Sequence, residues 1–153
     1  MLVPSDYKEL LKTLNKRKVR YLVVGAYAVI YYTEPRYTKD LDIWVEPEKG
    51  NAQKVYNVLK EFGAPLRNIL PRDFTNKYMV YQIGVAPVRV DILMGLGDIP
   101  FVQAWKNRKI ANFEGIKINI IGLNELITAK AKVRRRADKA DIDNLRMKLK
   151  KQL

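Results

Sequence analysis

Hydrophobic positions along the chain recur with two different periods. After Pro4-Ser5, the residues Tyr7, Leu10, Leu11 and Leu14 fall at helical spacing with Lys and Glu between them, which predicts an amphipathic helix. Residues 20–24 form a β-branched run that reads as a buried strand ending at Gly25. A short helix over residues 26–32 follows, and Pro35 stops it. Residues 41–45 predict a second strand. Val55, Val58, Leu59 and Phe62 mark one face of a helix over residues 48–62, with Gly63 where a C-terminal cap belongs.

The stretch 64–76 contains Pro65 and Pro71 and reads as irregular, with at most short helical turns. Residues 78–83 and 88–93 are extended runs separated by Gly84-Val85-Ala86-Pro87, the turn chemistry of an antiparallel hairpin. Gly95 and Gly97 loosen the chain before a short helix over 101–108. A smaller hairpin pairs 110–113 with 117–121 around Glu114-Gly115. From Leu123 the pattern is helical to the end, with a break near Ala137-Asp138. This is an α/β (α+β) pattern: a mixed sheet with flanking helices and a basic helical tail over about 123–153. No internal repeat or linker interrupts it, so residues 1–153 are expected to form one domain.

Composition narrows the chemistry. Hydrophobic content of 48% with 29% charged residues describes a globular chain. No apolar run approaches the ~20 residues that span a bilayer. The first residues lack a basic region followed by an apolar stretch, so a cytoplasmic protein with no membrane partner is expected. The absence of cysteine removes disulfides and thiol chemistry, and the absence of histidine removes the usual general base and most zinc sites. Carboxylates, lysines, arginines, tyrosines and backbone groups remain, a set suited to magnesium or manganese. Lys and Arg number 29 against 16 acids, a net charge of +13. Such an excess favours nucleic acid, nucleotides or an acidic protein as partner, and equally suits a lysine-rich surface kept for solubility.

Strand alternation puts Asp40 and Asp42 on one face, with Leu41, Ile43 and Val45 on the other. The same logic separates Asp91 from Val88, Val90 and Ile92. If the two strands are neighbours, three like charges converge, which raises pKa values unless cations compensate. Upstream, Tyr21-Leu22-Val23-Val24-Gly25-Ala26 is a strand, a tight turn and a helix start, where backbone amides can meet phosphate. Each feature alone also has a plain reading: a solvated Asp-hydrophobe-Asp triplet, and an ordinary strand-to-helix turn.

Together the features resemble the nucleotidyltransferase superfamily typified by DNA polymerase beta. Val24-Gly25-Ala26, then Asp40-Leu41-Asp42-Ile43, then Val90-Asp91-Ile92 follow the order of its signature. A nearer resemblance is to small prokaryotic nucleotidyltransferase-like proteins related to abortive-infection toxins. The string Arg36-Tyr37-Thr38-Lys39-Asp40-Leu41-Asp42, and Lys130, Arg134, Arg135, Asp138 and Asp141 in a late helix, carry it. The resemblance covers about residues 21–145.

It implies a metal-dependent enzyme that moves a nucleoside monophosphate from a nucleoside triphosphate to RNA, tRNA, protein or a small molecule. Asp40, Asp42 and Asp91 would be the catalytic carboxylates and the ligands of magnesium or manganese. Gly25, Ala26, Arg36 and Lys130 would bind the nucleotide. Ala26 departs from the Gly or Ser of many active members, keeping the amide and losing a hydroxyl donor. The alternative is a nucleotide- or RNA-binding module of a toxin–antitoxin pair with weak or no catalysis. A homodimer or a cognate partner protein also fits. Tyr27, Tyr31 and Tyr32 suit base stacking, core packing or self-association.

Overall fold

A computed structural model describes residues 5–33, 40–85, 88–131 and 142–148. The first helix, α1 (Ser5–Lys16), buries Tyr7, Leu10, Leu11 and Leu14, the stripe expected from spacing. Strand β1 (Tyr21–Val24) is buried throughout and passes directly into α2 (Gly25–Tyr32). Next come β2 (Asp40–Val45) and α3 (Lys49–Phe62). The Glu48 carboxylate caps α3 by accepting from the N–H groups of Gly50 and Asn51, at 2.6 and 3.0 Å. Gly63 ends it with φ of 86°, the left-handed conformation that glycine adopts without strain.

The region 64–79 holds only a short 3-10 turn, Pro71–Thr75, as the prolines imply. Strands β3 (Val80–Val85) and β4 (Val88–Leu93) form the expected hairpin, whose tip at 86–87 lies outside the described residues. The short α4 (Phe101–Lys106) precedes a second hairpin, β5 (Lys109–Phe113) and β6 (Ile116–Ile120). Helix α5 (Leu123–Ala131) follows, and residues 142–148 are helical again. The expected break near Ala137-Asp138, and Pro35, lie outside the described residues.

The strands form one mixed sheet in the order β3-β4-β2-β1-β6-β5. β1 runs antiparallel to β2 and parallel to β6, and β2 runs parallel to β4. Residues facing each other across a ladder share a face of the sheet. Val23, Leu41, Ile43, Val90 and Ile92 therefore point to one side, where α1 and α2 cover them. Asp40, Asp42, Trp44, Arg89 and Asp91 point to the other.

That second face is not wholly polar. Trp44 is buried there against the edge of Phe101 in α4, with ring centroids 5.0 Å apart. Phe101 in turn stacks on Trp105, which has Arg20 and Arg108 over its ring. The carboxylates of β2 thus share a face with the packed cluster of Trp44, Phe101 and Trp105. Among the described residues no helix is long and apolar enough to cross a membrane.

Candidate active site

The parallel β2–β4 ladder sets Asp42 directly opposite Asp91, and Asp40 opposite Arg89. The antiparallel β1–β2 ladder sets Val24 opposite Asp42. Gly25 follows Val24 at once, so the strand-to-helix turn is delivered to the carboxylates by register alone. Gly25 has φ of 65°, and a Cβ placed there would stand 2.9 Å from Cγ of Asp42 and closer still to Oδ2. Only glycine fits a backbone that turns left-handed against a carboxylate. Asp40, Asp42, Asp91, Gly25 and Ala26, separated by up to 66 positions in sequence, meet at one place.

A fourth polar side chain, Arg89, belongs to this cluster and is not among the residues singled out from the sequence. Its Nη2 donates to Asp40 Oδ2 at 3.0 Å and to Asp91 Oδ2 at 3.3 Å. Its Nε stands 3.1 Å from Asp91 Oδ1, near enough for an ion pair but not aligned as a hydrogen bond. The signal was legible: in Val88-Arg89-Val90-Asp91, Arg89 lies two residues before Asp91 and must share its face.

Tyr7 of α1 fixes the backbone beneath this arginine. The Tyr7 hydroxyl donates to the carbonyl of Arg89 at 3.1 Å and accepts from its N–H at 3.0 Å. Tyr7 also packs edge-on against Tyr27 of α2, two residues past Gly25, with centroids 5.9 Å apart. The glycine turn and the β4 carboxylate are thereby tied through two aromatic rings. Burial raises the Tyr7 pKa, and the nearby Asp40 and Asp42 add to this, so the hydroxyl keeps its proton.

The electrostatics follow from crowding. Burial, then the charges of Asp91 and Asp40, push Asp42 up to about 7, and the Arg89 charge only partly opposes this. Asp91 is 9% exposed. Asp40 Oδ1 and Asp91 Oδ1 are buried with no hydrogen-bond partner. Unsatisfied carboxylate oxygens, and a neighbouring carboxyl that holds its proton, are what oxygen-loving cations relieve. The donor set fits magnesium or manganese. In the arrangement observed, however, no three acidic groups among the described residues stand as a ready cation cage. The Arg89 guanidinium lies between Asp40 and Asp91 instead.

Other expected residues fall elsewhere. Lys130 is in the last turn of α5, a helix that packs on α2. Arg36, Arg134, Arg135, Asp138 and Asp141 lie outside the described residues. Tyr32 is core, its hydroxyl donating to the carbonyl of Ile121 at 2.7 Å, while Tyr31 is 46% exposed. An apolar cavity of about 430 Å³ borders Leu11, Val23, Tyr27, Leu41 and Phe113. It lies on the α1/α2 side of the sheet, across β2 from the carboxylates.

Comparison with known proteins bears on this arrangement. Residues 4–153 match the family model described as nucleotidyl transferase of unknown function (DUF2204). The chain belongs to this nucleotidyl transferase family. Its fold is also that of solved nucleotidyltransferases. Similar structures include the lincosamide antibiotic adenylyltransferase LnuA with lincomycin bound, at 18% identity and TM-score 0.60. That match covers 95% of this chain and 97% of that one. A candidate nucleotidyltransferase of Thermotoga maritima matches at 20% identity and TM-score 0.60, covering 98% and 96% of the two chains. The antibiotic-resistance factor ANT(2'')-Ia matches at 12% identity and TM-score 0.64, covering 97% and 83%. No curated protein matches. The nucleotidyltransferase fold and superfamily expected from the motifs therefore hold.

Proposed function

We propose that the protein transfers a nucleoside monophosphate from a nucleoside triphosphate onto a hydroxyl of its acceptor. The observation that carries this reading is the double register of β2, which puts Asp42 beside Asp91 on one side and beside the Val24-Gly25 turn on the other. Carboxylates for cations and open backbone for phosphate are brought within one side chain's reach of each other.

Asp40, Asp42 and Asp91 would hold the divalent cations, which when bound supply positive charge against the triphosphate and its leaving group. Gly25 and the amide of Ala26 line the phosphates, where a side chain on residue 25 would block approach. Asp91 takes the proton of the acceptor hydroxyl as its oxygen bonds to the α-phosphorus. The bond from that phosphorus to the bridging oxygen breaks, and pyrophosphate leaves. Lys130 and Arg36 add positive charge for the phosphates, a role supported by family resemblance. A cytoplasmic, single-domain protein acting on RNA, tRNA, protein or a small molecule is consistent with this chemistry.

The test is transfer of label from each α-labelled triphosphate, with magnesium or manganese, onto RNA, cell lysate or small hydroxyl compounds. Label moved by the wild type and lost in Asp42→Asn supports the reading. No transfer from any triphosphate, with no triphosphate binding by calorimetry, overturns it.

A second reading has its own support, the missing hydroxyl at Ala26 and the Arg89 guanidinium bridging two of the carboxylates. In it the chain is a binding module for nucleotide or RNA, in the manner of a toxin–antitoxin component. It requires salt-sensitive RNA binding that survives Asp42→Asn and needs no metal.

A further inference from the structure

We infer that Arg89 is the resident cation of the carboxylate cluster: it spans Asp40 and Asp91 in the metal-free protein and competes with a divalent ion for them. The inference rests on the proposed reading that a divalent ion binds among these aspartates, and it adds what that ion must displace.

Four observations carry it. The guanidinium meets Asp40 and Asp91 simultaneously, through Nη2 at 3.0 and 3.3 Å and Nε at 3.1 Å. Nη2 and Nε together stand against both oxygens of Asp91, so an ion bridging Asp40 and Asp91 must share at least one oxygen that Arg89 now contacts, even where it takes the unpartnered Asp40 Oδ1. No acidic trio among the described residues is open as a cation cage. Finally, the Arg89 side chain is 32% exposed, so the guanidinium has solvent to move into, while Tyr7 clamps its backbone in place.

Those features divide the residue into a fixed root and a releasable head. Without a metal, the head offsets the negative charge that Asp40 and Asp91 place side by side on one face of β2 and β4. With a metal, the head must leave at least one carboxylate, and the cost of breaking that pair is subtracted from metal affinity. Arginine suits the role better than lysine because its planar fork reaches two carboxylates at once.

The measurement is manganese binding without nucleotide, followed by the electron paramagnetic resonance signal of the free ion. It is paired with the thermal midpoint in chelator. Wild type, Arg89→Gln, Arg89→Lys and Asp42→Asn are compared. Arg89→Gln is expected to bind manganese about tenfold tighter, within the usual span of coupling between linked occupants. In chelator it should melt below wild type, and manganese should close the gap. Arg89→Lys, a single point charge, should fall between the two and serves if Arg89→Gln does not fold. Manganese binding unchanged or weakened in both Arg89 variants, yet lost in Asp42→Asn, overturns the competition and leaves the metal site standing. Binding absent in every variant, or unaffected by Asp42→Asn, removes the metal-site reading and this inference with it.

Discussion

Gly25 lies against the carboxylate of Asp42, with no room between them for a methyl group. The contact joins the two halves of the proposed site, because Gly25 opens the helix that would face phosphate and Asp42 is the central carboxylate. It predicts that Gly25→Ala costs at least about 2 kcal/mol of folding stability, the sum of a left-handed backbone and a displaced carboxylate. Gly115 is the control: φ there is 86° and no atom stands within 4 Å, so Gly115→Ala bears the backbone cost alone, about 1 kcal/mol. Denaturant midpoints of the two variants check the difference, and only Gly25→Ala should also lose triphosphate binding.

The raised pKa of Asp42 makes the metal-free protein pH-sensitive. The group titrates at about 7 in the fold against 3.8 in a free chain. Between those values the folded state keeps a proton that the unfolded state releases. Stability is therefore greatest below about pH 4 for this group and falls as pH rises toward 7, by on the order of a few kcal/mol at most. Above pH 7 both states are ionised and the dependence levels off. Urea unfolding in chelator at pH 5, 6, 7 and 8 should show this slope, and Asp42→Asn should lose most of it. Magnesium should restore stability most at the high-pH end, where the carboxylate is already free of its proton.

The Tyr7 hydroxyl serves both backbone groups of Arg89. Tyr7→Phe should cost about 1–2 kcal/mol, since it leaves two partly buried partners unsatisfied while keeping the ring that packs on Tyr27. Calorimetric unfolding checks the size. A larger loss of manganese binding than of stability would show that the hydroxyl also holds the cluster's shape.

Ala26, which the resemblance sets where many active nucleotidyltransferases carry Gly or Ser, is half-buried beside Gly25. Ala26→Ser returns a hydroxyl to the first turn of α2, and a hydrogen bond to a charged phosphate should tighten triphosphate binding by about tenfold. Isothermal titration with each triphosphate reads this directly. No gain would mean that phosphate does not approach the turn.

Much of this arrangement was legible from local pattern. The period-2 runs located β2 and β4, and alternation alone put Asp40, Asp42 and Asp91 opposite their apolar neighbours. Gly63, Pro65, Pro71 and Glu114-Gly115 marked boundaries because turn chemistry is local. Pairing was harder. That β2 sits between β1 and β4, antiparallel to one and parallel to the other, depends on contacts distant in sequence that no short window contains. Arg89 is the least legible member, because an arginine in a strand of a +13 protein resembles surface, although its spacing from Asp91 fixes its face. Tyr7 lies on the apolar stripe of α1 and is buried, and only its hydroxyl's reach to β4 makes it part of the site. Trp44 lay on the polar side of an alternating strand, and α4 explains why it is buried.

The central claim is that Asp40, Asp42 and Asp91 bind cations against a triphosphate held at the Gly25 turn. A crystal grown with manganese and a nucleoside triphosphate tests it most directly. The account predicts anomalous density among the three carboxylates, phosphate along the Gly25–Ala26 amides, and Arg89 turned away from Asp40 or Asp91. Triphosphate bound elsewhere, or no metal density with Arg89 still bridging the two aspartates, would contradict it.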